Sequence, residues 1–208
     1  MIIHDCQQRS PEWFAARIPR ATGSNFAAVM ATIKSGEAAT RRNYRAQKVV
    51  EILTGKSTEG FVSKAMQDGI DREAMGRLVY ESRTGNLVQE VGFIVHDSIM
   101  AGASPDGLID DDGCLEIKAP TLATHLDYIY LPANACPSEY IPQVQGEMWI
   151  AERKWCDFVS YQPDFPEKHQ IVIRRVFRDD AYIKKLELEV IKFMDEVTEA
   201  LQKLPEAA

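Results

Sequence analysis

A turn signal between two strand-like stretches places the tightest limit on how this chain can fold. Residues 100–110 and 114–118 have the composition of β-strands, and the tract DDDG at 110–113 joins them. Asp and Gly are favoured in tight turns because they tolerate left-handed backbone conformations. The pattern predicts a β-hairpin, in which successive side chains of each strand point to opposite faces.

The segments before this hairpin are mostly predicted helices, and the segments after it are predicted helices and strands. Ser10 followed by Pro11 is typical of a helix start, and residues 22–24 predict a second start. The other predicted elements are helices over 37–53, 61–84 and 138–152, strands over 87–95, 156–162 and 169–176, and an amphipathic helix over 179–203. This order predicts an α/β fold with a central mixed β-sheet flanked by helices on both faces.

The length and composition predict one globular domain. The chain has 208 residues, of which 45% are hydrophobic and 26% are charged, so disordered and fibrous classes are excluded. We expect a helical part over about 1–85, a sheet-bearing core over about 86–178 and a C-terminal helix over about 179–203. Residues 119–137 are expected to form a loop within the sheet-bearing core.

The sequence predicts a cytoplasmic protein with reduced cysteines. No segment approaches the roughly 18 consecutive apolar residues of a membrane-spanning helix. The first ten residues, MIIHDCQQRS, contain no apolar signal-peptide core. The four cysteines form no CxxC pair and the four histidines are scattered, so we expect neither disulfides nor a thiolate metal site.

The charge is distributed unevenly along the chain. The net charge of −7 argues against a polyanionic partner. Residues 1–60, however, contain nine Lys and Arg against five Asp and Glu, a net charge of +4, which leaves −11 for the other 148 residues. A basic first third can present a positive surface to a phosphate backbone, although chance scatter of surface charge gives the same count.

Three charged residues on the predicted hairpin have the composition of a nuclease site. In CLEIK, Glu116 and Lys118 share one face, and pairing with the preceding strand brings Asp106 beside Glu116. Two carboxylates and one backbone carbonyl, that of Ile117, are the oxygen ligands that Mg²⁺ and Mn²⁺ prefer. A lysine beside them can orient water or stabilise developing negative charge. The alternative is a hairpin with exposed ion pairs of little energetic consequence.

Five stretches in the same order resemble one family over about residues 8–160. They are WFAAR at 13–17 with ATGS at 21–24, GIDRE at 69–73, SPDGL at 104–108, EIK at 116–118, and IPQVQGEMW at 141–149. The set resembles the bacteriophage lambda exonuclease or YqaJ-like viral recombinase family, within the PD-(D/E)xK nucleases. The resemblance implies a restriction-endonuclease-like core.

The resemblance also implies an activity and partners. It implies an Mg²⁺-dependent exonuclease with two metal ions, which digests one strand of linear double-stranded DNA from its 5′ end during phage or prophage recombination. It further implies a homotrimeric ring around the DNA and a phage single-strand annealing protein as partner.

Site residues follow from the resemblance position by position. Asp106, Glu116 and Glu73 match metal ligands, with the Ile117 carbonyl, and Lys118 matches the catalytic lysine. The positions expected around the terminal 5′-phosphate are Arg17, Ser24, Ser104 and Gln143. Without the resemblance, these residues fit a surface arginine, a helix cap and ordinary polar positions, and Glu73 fits a solvated helix charge.

Two other functions fit the same residues. One is a structure-specific or restriction-type endonuclease with the same metal core, and the other is a non-catalytic scaffold that binds DNA ends. Residues 31–60 and 119–137 match the family at no clear position. Gln145 fits either a second active-site amide or a contact with a neighbouring helix.

Overall fold

A computed structural model of the chain describes residues 1–58 and 64–205. The helices are α1 (Pro11–Arg17), α2 (Phe26–Val29), α3 (Ala39–Thr54), α4 (Lys64–Thr84), α5 (Leu122–Ile129), α6 (Ile141–Ile150) and α7 (Asp180–Gln202). The strands are β1 (Ile2–His4), β2 (Ala21–Thr22), β3 (Val88–Gln89), β4 (Phe93–Val95), β5 (Ala101–Ala103), β6 (Gly107–Ile109), β7 (Gly113–Lys118), β8 (Trp155–Tyr161) and β9 (Ile171–Phe177). Short 3₁₀ turns cover Gly23–Asn25, Ser138–Tyr140 and Glu167–His169.

The strands form two mixed sheets. The five-stranded sheet has the order β3-β6-β7-β8-β9, in which only β7 and β8 are parallel. The four-stranded sheet has the order β1-β4-β5-β2, in which only β2 and β5 are parallel. The α/β class with mixed sheets and flanking helices is therefore confirmed, and the strands divide between two sheets where the sequence predicted one.

Two of the predicted strands are each broken into two. The strand predicted over 87–95 is β3 and β4, and the strand predicted over 100–110 is β5 and β6. The second break falls at Ser104 and Pro105, and proline has no N–H to continue a ladder. The first falls before Gly92, where a Cβ would lie 2.3 Å from the carbonyl oxygen of Cys6. Each break lets the chain pass from one sheet to the other.

Most predicted helices agree with the structure within a few residues. The Ser10 side chain caps α1 by accepting from the N–H of Trp13, and Gly55 ends α3 with a φ of 64°. The helix predicted over 61–84 is described from residue 64, and its first three residues lie outside the described part of the chain. Strands β1 and β2 were not predicted, because two or three residues give no periodicity.

The predicted loop over 119–137 contains the helix α5, so that prediction is wrong. Thr121 caps the helix by accepting from the N–H of Thr124, and His125 and Tyr128 are buried. Prolines on either side leave only two turns, too short for a clear apolar stripe.

Over 1–58 and 64–205, no helix combines the length and apolar character needed to cross a membrane.

The core lies mainly between the sheets, α6 and α7. Helix α6 is buried along most of its length and contacts β5, β7, β8 and α7. The stripe predicted on the C-terminal helix packs here, with Ile183, Leu186, Val190, Phe193 and Val197 buried. A smaller cluster on the other face of β7 contains Leu115, Ile117 and Tyr80 of α4. Helices α4 and α6 therefore hold β7 from opposite faces.

Gly76 allows α4 to lie close to the sheet. A Cβ at Gly76 would lie 2.9 Å from the Cβ of Tyr161 and 3.2 Å from Cγ2 of Ile117. We expect Gly76→Ala to lower the free energy of unfolding by about 1–3 kcal/mol, as measured by urea unfolding. The matched control is Gly69→Ala on the same helix, where a Cβ meets nothing within 4 Å. Equal destabilisation by both substitutions would contradict the close approach.

Candidate active site

The β6–β7 hairpin brings Asp106 beside Glu116. The N–H of Asp106 donates to the carbonyl oxygen of Leu115 at 2.9 Å, and the Asp106 Oδ2 accepts from the N–H of Ile117 at 2.6 Å. Strand β7 alternates as predicted, with Leu115 and Ile117 in the core below and Glu116 and Lys118 on the other face. The Lys118 ammonium contacts the Glu116 carboxylate directly.

Burial and neighbouring negative charge raise the pKa of two acids in this group, Asp106 and Glu73. Burial raises the pKa of Asp106 well above its ordinary value, and the charge of Glu116 adds to the effect. Burial also raises the pKa of Glu73, which reaches the same site from α4. Burial alone would lower the pKa of Lys118, but Glu116 and Asp106 raise it above its ordinary value, so its ammonium stays charged.

This donor set fits a divalent cation. Three carboxylates converge here. Desolvation and like charge oppose the ionisation of Asp106 and Glu73, and a bound cation would reverse both effects. Carboxylate oxygens are hard ligands of the kind that Mg²⁺ and Mn²⁺ prefer. The residues that would hold the ion are Asp106, Glu116 and Glu73.

A second group of polar residues lies next to the carboxylates. The Arg17 guanidinium stacks on the Trp13 ring at 4.0 Å from its centroid, and its Nη2 lies 3.5 Å from the Oγ of Ser24. The Trp13 Nε1 donates to the Oγ of Ser104 at 2.7 Å. The same tryptophan therefore orients the guanidinium and one hydroxyl of this group.

Gln143 connects the two groups. Its Nε2 donates to the carboxylate of Glu116 at 2.6 Å and to the carboxylate of Glu147 at 2.9 Å. The structure brings all eight side chains that the sequence predicted for the site to one cavity of about 400 Å³, which we call the end cleft. These eight side chains are Arg17, Ser24, Glu73, Ser104, Asp106, Glu116, Lys118 and Gln143. Ile117 lines an adjoining cavity.

Comparison with known families decides which family this chain is part of. The model of the YqaJ-like viral recombinase domain matches residues 12–154. The chain belongs to the YqaJ-like viral recombinase family. This confirms the resemblance found in the sequence motifs.

Three of the solved structures similar to the YqaJ-like chain are structures of exonucleases. It is 41% identical to an alkaline exonuclease, LHK-Exo, from Laribacter hongkongensis, with a TM-score of 0.85 over 93% of this chain and 95% of that one. The same exonuclease has been solved in complex with dAMP. A phage-related exonuclease from Haemophilus somnus 129PT is 13% identical, with a TM-score of 0.69 over 88% of this chain and 96% of that one, and shares the fold.

A curated relative is much longer than the YqaJ-like chain. The uncharacterized protein R354 of Acanthamoeba polyphaga mimivirus is 27% identical over 177 residues. The match covers 78% of this chain but only 30% of the mimivirus protein. The chain thus spans about a third of the length of that relative.

Glu147 is a cleft residue of the YqaJ-like chain that the sequence reasoning missed. It lies one helical turn after Gln143 on α6, is 1% exposed, and lines the end cleft. Burial and the charge of Glu116 raise its pKa well above the ordinary value. One carboxylate oxygen has no hydrogen-bond partner among the described residues. The i,i+4 spacing from Gln143 was the available signal.

Gln145 resolves the alternative left open by the sequence. Its Nε2 donates to the carbonyl oxygen of Phe177 at 2.9 Å, and its Oε1 accepts from the N–H of Asp179 at 2.9 Å. Gln145 is 4% exposed and lies on the face of α6 that meets the end of β9. In the YqaJ-like chain it ties α6 to the start of α7, so it is a structural amide.

Two of the cysteines in the YqaJ-like chain are neighbours. Cys114 and Cys156 are register partners on the parallel strands β7 and β8, and all four cysteines are free thiols, as predicted. Both sulfur atoms lie within 4.8 Å of a carboxylate oxygen of Glu147. Spacing along the sequence did not predict this proximity, because a long crossover separates the two strands.

Proposed function

We propose that this chain is a metal-dependent exonuclease that digests one strand of linear double-stranded DNA from its 5′ end and leaves a 3′ overhang. The coarser conclusion, a nuclease of the phage exonuclease type, is supported by the family and by the 41% identical alkaline exonuclease. The observation that carries the finer proposal is the end cleft, in which three carboxylates and Lys118 adjoin an arginine, two hydroxyls and an amide.

The second group of residues suits a terminal phosphate. Arg17 is 7% exposed and its guanidinium is fixed by stacking on Trp13, so its donors are already oriented for an anion. Ser24 and Ser104 place hydroxyls in the same cavity. A 5′-phosphate held here sets the next phosphodiester beside Asp106 and Glu116, so cleavage would depend on an end.

The carboxylate group suits hydrolysis of that phosphodiester. A divalent ion bound there supplies a more acidic water molecule and neutralises charge on the scissile phosphate. The residues that would hold two Mg²⁺ ions, or Mn²⁺ in their place, are Glu73, Asp106 and Glu116, with the Ile117 carbonyl as a further ligand. Lys118 stays protonated, orients the attacking water and stabilises the negative charge that develops on the phosphate.

Family membership supports proposals about assembly and context. We propose a homotrimeric ring around the DNA, and a phage-type single-strand annealing protein that loads on the 3′ overhang in the cytoplasm of a bacterial host. Sedimentation equilibrium checks the first of these, because a trimer has three times the chain mass of 23.4 kDa. A monomer or dimer at every concentration would exclude the ring.

Arg17→Ala is expected to remove most of the preference for 5′-phosphorylated ends. Loss of a charge-assisted hydrogen bond costs about 1.5–3 kcal/mol, which is about 10- to 150-fold in relative rate. The measurement is nucleotide release from duplexes with a 5′-phosphate or a 5′-hydroxyl. Arg20→Ala is the matched control, since its guanidinium donates to the Ala16 carbonyl oxygen at 2.7 Å and lies outside the end cleft. A wild-type ratio in Arg17→Ala would show that another residue reads the phosphate.

One digestion separates the proposed function from its alternatives. A linear duplex with a 5′-phosphate on only one strand is incubated with the protein, with and without Mg²⁺, beside a covalently closed circle. We expect mononucleotide release from the phosphorylated strand alone, only with Mg²⁺, and an intact circle. Cutting of the circle would indicate an endonuclease, and binding without release would indicate an end-binding scaffold.

A further inference from the structure

Arg9 lies in a strained turn at the border of the end cleft. The N–H of Ser10 donates to the carbonyl oxygen of Gln7 at 3.1 Å and closes a four-residue turn in which Arg9 has a φ of 69°. Turns with a left-handed third residue favour glycine there, because a Cβ is disfavoured. Backbone strain of this kind concentrates at functional sites, so an arginine here calls for a functional explanation.

Gln8 fixes this turn relative to the carboxylates. Its Nε2 donates to the carbonyl oxygen of Val91 at 3.0 Å and to that of Pro105 at 3.1 Å. Pro105 directly precedes Asp106 in the sequence. The backbone of Arg9 is therefore held against the same segment that carries Asp106.

Arg9 lines two adjoining cavities. One is the end cleft, and the other, of about 350 Å³, we call the distal cavity; among its lining residues are Arg9, Glu73, Arg77, Glu90, Asp106 and Ile117. The two cavities share Gln8, Arg9, Glu73 and Asp106, so they meet beside the carboxylates. The distal cavity is large enough for part of a nucleotide strand.

Arg9 is the cation of the distal cavity that is available to a ligand. Arg77 is bound to Glu90 at 2.7 Å, whereas Arg9 forms neither a hydrogen bond nor an ion pair with any residue described in the structure. Asp5 and Glu90 also line this cavity, so attraction of a phosphate depends on the arginine. Arg9 and Glu73 line both cavities, so the arginine lies beside the carboxylate group.

We propose that the distal cavity binds the DNA strand immediately 3′ of the scissile bond, and that Arg9 donates to the first phosphate of that strand. The proposal rests on the proposed exonuclease function. A strand whose 5′-phosphate is held at Arg17 crosses the carboxylates and enters the distal cavity at Arg9. Arg17 then recognises the nucleotide that is released, and Arg9 holds the strand that is retained.

The test combines one substitution with one modified linkage. The substrate duplex carries a neutral methylphosphonate at its second internucleotide linkage, just 3′ of the scissile one. The concentration dependence of single-turnover release of the first nucleotide gives the dissociation constant. We expect the modification and Arg9→Gly each to weaken binding by about tenfold, and together to weaken it no more than either alone. Multiplication of the two effects would overturn the proposal.

Controls separate this proposal from a structural role and from the proposed function. Arg9→Gly relieves the left-handed backbone, so its Tm should not fall, and its preference for 5′-phosphorylated ends should stay as in the wild type. Lys185→Ala removes one exposed charge from α7 and should not change the dissociation constant. If the wild type digests DNA but the effects of the methylphosphonate and of Arg9→Gly on the dissociation constant multiply, only the role proposed for Arg9 is overturned. Failure of the wild type to release any nucleotide would overturn both proposals.

Discussion

Lys118→Ala is expected to lower the rate of nucleotide release by about 10²- to 10³-fold while binding of a 5′-phosphorylated end stays nearly intact. The substitution removes an ammonium whose pKa is raised by Glu116 and Asp106, which offset the effect of burial, so the charge is present at every working pH. It leaves Arg17 and Ser24, the side chains proposed to bind the phosphate, unchanged. Single-turnover release and fluorescence anisotropy of a labelled duplex measure the two quantities.

Lys154→Ala is the matched control for Lys118. Lys154 is an exposed lysine whose Nζ lies 3.4 Å from Asp112, in the turn region away from the end cleft. Its loss should change neither release nor binding. Digestion by Lys118→Ala at the wild-type rate would show that the lysine takes no part in the proposed chemistry. An equal loss of nucleotide release and of end binding would show that it acts in binding.

Asp106→Asn is expected to abolish digestion and, without metal, to stabilise the fold. The pKa of Asp106 is raised in the folded protein, so the folded state binds the proton more tightly than the unfolded state. Stability is therefore greatest with this group protonated and falls as the pH rises through the raised pKa. Asparagine removes that cost at neutral pH, and its carbonyl oxygen can still accept from the N–H of Ile117.

The same variant should lose its response to Mg²⁺. A ligand at 100 times its dissociation constant stabilises the folded state by about 2.7 kcal/mol, which raises the Tm of a domain of this size by about 5–10 °C. Thermal unfolding with and without Mg²⁺ should show this rise for the wild type and not for Asp106→Asn. Asp111→Asn, an exposed change in the same hairpin, should keep the rise. An equal rise in all three proteins would place the metal elsewhere.

The hairpin at the centre of the site was predictable because its signals are local. The turn tract and the alternation in CLEIK placed Glu116 and Lys118 on one face and brought Asp106 beside them, which agrees with the observed register. The positions of Arg17 and Gln143 depend on long-range packing of α1 and α6. No local pattern relates those residues to β7, so only the family resemblance connected them to the site.

Other features were beyond sequence reasoning for physical reasons. The division of strands between two sheets depends on breaks at Gly92 and Pro105, whose effect shows only once the neighbouring chain is in place. Glu147 looks like an ordinary helix carboxylate until the packing of α6 against β7 buries it. The contact between Cys114 and Cys156 requires the register of a parallel pair, which the intervening crossover sets.

The passage of the chain between the two sheets fixes the distance between the two groups of residues in the end cleft. Ser104, which accepts from Trp13 beside Arg17, and Asp106, in the carboxylate group, are only two residues apart, and two extended residues span about 7 Å. Both ends of this short segment are fixed by strands of different sheets. If the 5′-phosphate binds at Arg17 and the metal at Asp106, as proposed, this fixed spacing would place one phosphodiester at the carboxylates in each turnover. Release of single nucleotides would then follow from the backbone length of this segment.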